Sequence, residues 1–250
     1  EEDVQRLEAG YALPRAQFDS LLFNRCQKLV RDAGGSVIQG GEVRTVLFDD
    51  GKGGEDPGEG SGDARHASGL VLRIGGRGGE ERTFHSRELV GAGGYRCPVA
   101  RSVVESSYGE AMVDRDHYCG GYREYWSNVK GCEESSGDIE IHFVDTVIPG
   151  YFWLFPVSEN VVNVGIGMVM GLMDKQKKKL KALQADVIAN HPMFKERFAE
   201  AEMVPGSAKG WQLPFGSPRK KADRQPRRSS MNGIRLVGDA ASLVDPFSGE

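Results

Sequence analysis

The C-terminal segment, residues 233–250, holds the closest grouping of residues that could do chemistry. A hydrophobic run over residues 234–237 leads directly into Gly238 and Asp239, and two alanines follow. Glycine lets a chain turn tightly at the end of a strand, and a carboxylate accepts hydrogen bonds from ribityl or ribose hydroxyls. The alanines leave room for a flat ring, and residues 245–250 lead towards a helix N-terminus whose free N–H groups stabilise a pyrophosphate. This pattern predicts a ligand-binding strand–turn–helix, although an ordinary β–α turn has the same pattern.

A second group of residues predicts an apolar wall. Tyr151, Trp153 and Phe155 alternate along one strand and therefore share a face. Their rings offer a large apolar surface with hydrogen-bonding tips. Gly165 and Gly167 share a face of the following strand, and such glycines indicate close approach of a ligand or of another part of the protein. These strands are expected to wall a pocket for a long apolar substrate, although simple core packing gives the same pattern.

Composition excludes several other classes of protein. The 250 residues carry 32 basic and 36 acidic side chains, so a net charge of −4 gives no global attraction for nucleic acid. The basic cluster over residues 219–228 is interpreted as a solvated surface loop. The four cysteines form no C-x-x-C pair and have no histidine at zinc-finger spacing, which predicts no metal site. No run reaches the roughly 18 apolar residues of a membrane helix.

Periodicity predicts the elements that position these groups. Apolar residues at helical spacing predict an amphipathic helix over residues 14–33 and a second helix from Asp174 to just before Pro192, with a short one over 193–201. Ile139, Ile141 and Phe143 alternate with Glu140 and His142, which predicts a strand with its polar side in water. The other predicted strands cover residues 36–38, 43–48, 70–74, 82–85, 151–155 and 161–168.

Four segments together resemble the geranylgeranyl reductase family of FAD-dependent oxidoreductases, which has the p-hydroxybenzoate hydroxylase type of fold. Residues 14–22 resemble its R-x-x-F-D-x-x-L helix, and residues 89–101 its Gly-Ala-Asp-Gly segment with the Ser-x-Val-Ala-Arg that follows. Residues 151–167 resemble its Y-x-W-x-F-P and glycine motif, and residues 237–250 its Gly-Asp motif. Each motif is weak alone, but their order and spacing agree over nearly the whole chain.

The resemblance implies a reaction and a set of site residues. It implies hydride transfer from reduced FAD to a C=C bond of an isoprenoid or lipid, with protonation of the adjacent carbon and a reduced nicotinamide or ferredoxin as electron donor. No catalytic acid or base can be assigned, and peripheral membrane association is left open. The cofactor contacts, or residues shaping the cofactor turn, would be Arg15, Val43, Gly94, Arg101, Gly238, Asp239, Pro246 and Gly249. The substrate cavity would be lined by Tyr151, Trp153, Phe155, Gly165 and Gly167.

Two departures from the family pattern keep other functions open. The aspartate of Gly-Ala-Asp-Gly is Gly93 here, and the following serine is Cys97. Loss of this carboxylate is expected to weaken FAD binding, which favours as one alternative a module without redox activity. The enzymatic alternative is a flavin-dependent monooxygenase or halogenase, because halogenases of this superfamily carry similar tryptophan-rich motifs.

The expected fold is α/β (α+β) in two parts. Residues 1–102 and 230–250 would form parts of a Rossmann-like FAD-binding domain of the glutathione reductase type. Residues 103–229 would form an antiparallel-sheet substrate domain with a helical excursion over 174–201. Enzymes of this type begin with a strand, G-x-G-x-x-G and a helix, and the sequence holds no such segment. The 250 residues are therefore expected to be the middle of a longer protein, which alone would bind FAD poorly.

Overall fold

The protein is described by a computed structural model over residues 14–49, 66–107, 109–133, 138–217 and 227–249. The mixed helix-and-sheet architecture is confirmed. The helices in this part of the chain are α1 (Arg15–Asp32), α2 (Pro98–Arg101), α3 (Met170–Gln176), α4 (Leu180–Asn190) and α5 (Pro192–Lys195). The strands are β1 (Gly41–Asp49), β2 (His66–Ile74), β3 (Glu80–His85), β4 (Leu89–Gly91), β5 (Tyr118–Ser127), β6 (Glu140–His142), β7 (Tyr151–Ser158), β8 (Val161–Val169), β9 (Glu202–Met203), β10 (Lys209–Pro214), β11 (Ser230–Met231) and β12 (Ile234–Leu236).

Helix α1 forms where the periodicity predicts it. Pro14 precedes its first turn, and Gly34 follows its end with a φ of 76°. Its apolar stripe is nevertheless open, since no residue of α1 is buried within the described chain and Leu21 is 65% exposed. The 3.6-residue spacing therefore specifies the helix without specifying what covers its apolar face.

The second predicted helix is wrong in its details. It is two helices, because α3 ends at Lys177 in a left-handed conformation (φ 54°) and α4 begins at Leu180. The short helix predicted over 193–201 is limited to α5, which begins where the His191 side chain accepts a hydrogen bond from Met193 N. The apolar stripe of α4 is confirmed, since it is buried at Leu180, Leu183, Val187 and Ile188.

The chain divides into two compact units. The first, here called the sheet unit, draws its described residues from Glu1–Val37, Tyr122–Gly167 and Lys179–Gly210. The second, here called the turn unit, draws them from Ile38–Gly121, Met168–Lys178 and Trp211–Glu250.

The turn unit contains a meander and a small mixed sheet. Strands β1, β2 and β3 pair antiparallel in that order, and the run predicted as a strand over residues 36–38 is a loop before β1. The other sheet has the order β11-β12-β4, in which β12 runs parallel to β4 with Leu236 opposite Gly91. The meander and the small sheet share one core in the turn unit. It is formed by buried small and branched residues, among them Val46, Ala67, Leu89, Val99, Ala100, Val103, Ile234 and Leu236.

The large sheet has the strand order β10-β5-β8-β7-β6, and β9 pairs with the end of β5. Strands β6, β7 and β8 are antiparallel neighbours, which confirms the predicted antiparallel sheet. Phe152, Leu154, Val164 and Ile166 are fully buried on one side of it, and the Phe152 ring packs on Phe194 of α5 at 4.7 Å. Within the described residues, the longest helix is too polar to cross a membrane, and the others fall short in length or hydropathy.

Candidate functional site

The register of β7 and β8 brings the five predicted substrate residues to one face of the sheet. Tyr151 lies opposite Gly167, Trp153 opposite Gly165, and Phe155 continues the same row. Adjacent ring centroids are 5.8 Å apart between Tyr151 and Trp153 and 6.0 Å apart between Trp153 and Phe155, the latter pair nearly parallel at 27°. We call this surface, with Ile141 opposite Trp153 on β6, the aromatic face.

Gly165 determines how the central ring of the aromatic face lies. A Cβ atom at this position would be 2.0 Å from Cζ2 of Trp153, so the indole crosses β8 in the space that a side chain would fill. Its Nε1 donates a hydrogen bond to Asn163 Oδ1 at 3.2 Å. The close approach that the glycine indicates is therefore that of Trp153, which is held flat on the sheet.

The aromatic face is partly open, since its three rings are half-buried, and the side chains of β6 point to the sides opposite to those predicted. Ile139, Ile141 and Phe143 are 49%, 50% and 61% exposed, whereas Glu140 and His142 point to the helix side of the sheet. The expectation that the polar residues face water is wrong. Alternation fixes which side chains share a face, but it does not fix which face is buried.

Ion pairing explains how the charged side of β6 can be covered. Glu140 accepts hydrogen bonds from both terminal nitrogens of Arg197, at 2.6 and 2.7 Å, and lies 2.7 Å from Nε2 of His142. These contacts, first that of Arg197, hold the pKa of Glu140 below its usual range. The Cys132 thiol lies beside the pair, and burial raises its pKa to about 11. A thiol with such a pKa is a poor nucleophile at neutral pH.

The turn unit brings together the glycine turns predicted to hold the cofactor. Gly94 and Gly238 each begin a 3₁₀ turn with positive φ, 71° and 57°, and the two turns lie against each other. A Cβ atom on either glycine would meet nothing within 4 Å, so both backbones border open space. Asp239 follows Gly238, and the two alanines after it are buried. Such backbone can be approached closely by a phosphate or a flat ring.

The other predicted cofactor residues are more scattered. Val43 is half-buried on β1, and Arg101 ends α2 with an ion pair to Glu105 at 3.5 Å. Arg15 lies in the sheet unit, where its side chain is 79% exposed and pairs with Asp19 at 2.9 Å.

The end of the described chain is closed by a side-chain turn. Asp245 Oδ1 accepts hydrogen bonds from the backbone N–H groups of Phe247 and Ser248, at 2.9 and 2.8 Å, which lowers the pKa of Asp245. Pro246 is exposed within this turn, and Gly249 has a φ of 78°. The turn therefore needs both the aspartate and the left-handed glycine that the sequence placed here.

Arg227 is a site residue that the sequence missed. It belongs to the basic cluster interpreted as a solvated loop, but it is buried and donates to the carbonyls of Ala111 and Met112 at 2.7 and 2.9 Å. It also reaches Ser242 Oγ at 3.4 Å, directly after the Gly-Asp turn. The solvated interpretation is wrong for Arg227, and residues 218–226 lie outside the described part. No local pattern separates this arginine from its neighbours, because its partners lie far away in sequence.

Gly93 and Cys97, the two departures from the motif, are in contact. A Cβ atom at Gly93 would lie 3.2 Å from Sγ of Cys97, which is itself 2% exposed. An aspartate at this position would therefore press on the thiol. The two departures are thus linked by packing.

Known sequences that are similar to this chain include geranylgeranyl reductases. Residues 117–206 match the family model of the geranylgeranyl reductase catalytic domain. The digeranylgeranylglycerophospholipid reductase of Methanosarcina acetivorans is 25% identical over 250 residues, covering 99% of this chain and 51% of that protein. The part of the chain over residues 117–206 is therefore similar to the catalytic domain of the geranylgeranyl reductase family. Another similar protein, digeranylgeranylglycerophospholipid reductase 1 of Methanococcoides burtonii, is 29% identical over 68% of this chain and 36% of its own length. The chain thus spans about half, or less, of the length of these reductases.

Solved structures of proteins with different activities have a similar fold. A geranylgeranyl bacteriochlorophyll reductase-like protein of Thermoplasma acidophilum aligns with a TM-score of 0.67 at 21% identity, over 94% of this chain and 49% of that one. The myxobacterial chondrochloren halogenase, an FAD-dependent halogenase, aligns with a TM-score of 0.65 at 24% identity, over 96% and 48%. The fold is therefore shared between reductases and halogenases.

Proposed function

We propose that the protein is an FAD-dependent reductase that saturates C=C bonds of an isoprenoid lipid. The observation that carries this proposal is the partly open aromatic face, which lies within the segment matched by the reductase family model. A contiguous apolar surface that remains accessible to solvent indicates a binding site. A long isoprenoid chain is apolar, and the planar units at its double bonds suit three aromatic rings in a row.

The turn unit fits FAD on the evidence of its two open glycine turns. The backbones at Gly94 and Gly238 can approach the cofactor closely, and Asp239 can accept a hydrogen bond from a ribityl or ribose hydroxyl. Reduced FAD would supply a hydride to one carbon of the double bond, while the other carbon takes up a proton. The electron donor proposed is a reduced nicotinamide or ferredoxin.

The substrate proposal follows the relatives and the aromatic face together. The relatives are named as reductases of digeranylgeranylglycerophospholipids. Trp153, fixed by Gly165 and Asn163, would bind the chain and exclude water from the double bond. A lipid substrate would be met at a membrane surface, so peripheral association is part of this proposal. The division into a cofactor domain and a substrate domain over residues 103–229 likewise stays a proposal.

A flavin-dependent halogenase or monooxygenase is the second candidate, because the halogenase fold matches almost as well as the reductase fold. A module without redox activity is the third, because Gly93 lacks the carboxylate of the family motif. Leu154, Phe155 and Pro156 follow the reductase version of the aromatic motif, which supports the first candidate over the second.

The test uses holoprotein purified from its natural source, reduced without oxygen and mixed with a geranylgeranyl lipid. We expect the flavin absorbance to return while mass spectrometry shows one H₂ gained for each double bond lost. Trp153→Ala should slow this reaction at least about tenfold through lost substrate contacts. Phe84→Ala, which truncates an aromatic residue on β3 in the turn unit, should react at the normal rate.

Two results would contradict the proposal. Oxygen-dependent halogenation or hydroxylation, with the double bonds intact, would support the second candidate. A colourless protein that FAD cannot reconstitute would support the third.

A further inference from the structure

The sheet unit contains a cavity of about 710 Å³ where β6, the last strand of the large sheet, meets helices α4 and α5. Its lining comes from residues 141–146, from the C-terminal part of α4 and from the start of α5. The buried lining residues include Val144, Val187 and Phe194, whereas Phe143 and Met193 are 61% and 54% exposed. Such a volume accommodates a small molecule with an apolar body.

The cavity is acidic. Among the described residues that line it, two are aspartates and none is a lysine or an arginine. Asp186 accepts a hydrogen bond from the Asn190 side chain at 2.7 Å, and neither Asp186 nor Asp145 forms an ion pair within the described part of the chain. Glu140 of β6 differs, because both terminal nitrogens of Arg197 donate to it. The two aspartates are exposed and can therefore pair with a cation that enters the cavity.

The C-terminal end of α4 adds to this negative potential. The last carbonyl groups of a helix carry a partial negative charge, which a basic residue in the last turn would offset. Helix α4 has no basic residue in its last turn, and Asn190 and His191 at its end line the cavity. The His191 ring accepts a hydrogen bond from Met193 N at its Nδ1, at 3.3 Å, so in this arrangement the ring is neutral. The helix end therefore favours a cation as well.

Aromatic rings in the cavity favour an organic cation. The Phe194 ring lies between two imidazoles, with His142 edge-on at a centroid distance of 4.9 Å and His191 at 5.1 Å. The exposed Phe143 ring lines the same cavity. Aromatic ring faces attract ammonium groups, and the apolar side chains around them suit an apolar body. Within the described residues, no group of three histidine, cysteine, aspartate or glutamate side chains is placed to hold a metal ion.

We propose that this cavity binds a small organic ammonium ion with an apolar body the size of one aromatic ring. Asp145, Asp186 and the C-terminal end of α4 would attract the ammonium group, and Phe143 and Met193 would contact the apolar body. This inference does not rest on the proposed function, because the cavity shares only Ile141 with the aromatic face.

The test measures equilibrium binding of phenethylammonium, 2-phenylethanol and methylammonium to the holoprotein by calorimetry. Phenethylammonium should bind at least about fivefold more tightly than 2-phenylethanol, which has the same skeleton without the charge, and than methylammonium, which has the charge without the ring.

Two variants remove the negative charges one at a time. Asp186→Asn keeps an acceptor for the Asn190 side chain and should reduce the preference for the amine over the alcohol to less than about twofold, with the affinity for the alcohol unchanged. Asp145→Asn should lower the preference in the same direction. Glu200→Gln, which removes an exposed carboxylate of the sheet unit outside the cavity, is the matched control and should keep the full preference.

Four results would overturn the inference. Equal affinities for the amine and the alcohol would mean that the cavity does not recognise charge, and equal affinities for the two amines would mean that it does not recognise the apolar body. An equal loss of preference in Glu200→Gln and Asp186→Asn would assign the attraction to the net charge of the protein. Absence of binding by all three probes would remove the site altogether. The reductase proposal survives each of these results, because none of the probes tests the aromatic face.

Discussion

The two faces of strands β6 and β7 differ in which side chains they cover. The helix side half-buries Glu140 and His142 and pairs the carboxylate with Arg197, while the other side leaves Ile141 and the rings of the aromatic face partly open. Covering a charge costs several kcal/mol unless it is paired, and exposing apolar area forgoes about 25 cal/mol per Å². The two faces therefore differ in how their side chains are covered, and the partly open one is the face to which the proposed function assigns the lipid.

The largest expected effect comes from removing the cation on the covered face. Arg197→Met removes the guanidinium from Glu140 and also the hydrogen bonds that Arg197 donates to Lys130 O and Gly131 O, so we expect a total loss of about 3 kcal/mol in the free energy of unfolding, measured in urea. Lys28→Met, which breaks the exposed pair with Asp32 on α1, is the control and should cost less than about 0.5 kcal/mol. If the two variants cost the same, Glu140 is solvated and the comparison of faces fails.

The next effect is expected on the aromatic face itself. Gly165→Ala places a methyl group where the indole of Trp153 lies, so we expect a loss of about 2 kcal/mol in stability and a shift in tryptophan fluorescence as the ring moves. Gly121→Ala on β5 meets nothing within 4 Å and should leave both quantities unchanged. Gly165→Ala combined with Trp153→Ala should recover most of the cost of the added methyl group. If the stability losses of Gly165→Ala and Trp153→Ala simply add in the double variant, the position of the indole does not depend on the glycine.

A smaller effect is expected from pH. The pKa of Glu140 is lowered in the folded protein, chiefly by Arg197, so its contribution to stability is present above the ordinary carboxyl value of 4.5 and is lost as the pH falls through the lowered pKa. Unfolding measured from neutral pH down to about pH 3 should show a shallower acid loss for Glu140→Gln than for the wild type, by less than about 1 kcal/mol because the pair is partly solvated. Identical slopes would mean that Glu140 titrates normally.

The smallest stability change is expected at Ile141. Because this side chain is half exposed, Ile141→Lys should alter the free energy of unfolding by no more than about 0.5 kcal/mol, as at other surface sites. The same variant should weaken binding of geranylgeraniol, since it places a charge beside Trp153. A large loss of stability would instead show that Ile141 belongs to a packed core.

Much of the candidate site can be predicted from the sequence, because the patterns that indicate it extend over only a few residues. The alternation of Tyr151, Trp153 and Phe155 and the pairing of glycines on the next strand predict a shared face, and the register places them on one. Gly238 is predicted from its turn and Gly94 from the family resemblance, and both have the positive φ that favours glycine. Two predictions are wrong: that the polar side of β6 faces water, and that Arg227 lies in a solvated loop.

By itself, the sequence determined most of the elements, the residues that share a face and the reductase resemblance, because periodicity and turn chemistry act over a few residues. Only the tertiary structure decided which face is open, since the partner of Glu140 lies 57 residues away at Arg197. It also decided that Arg227 is buried, through Ala111 at a separation of 116 residues. Long-range ion pairs and hydrogen bonds leave no local pattern, so only the folded structure shows that the charged side of β6 is covered and that the aromatic face is partly open.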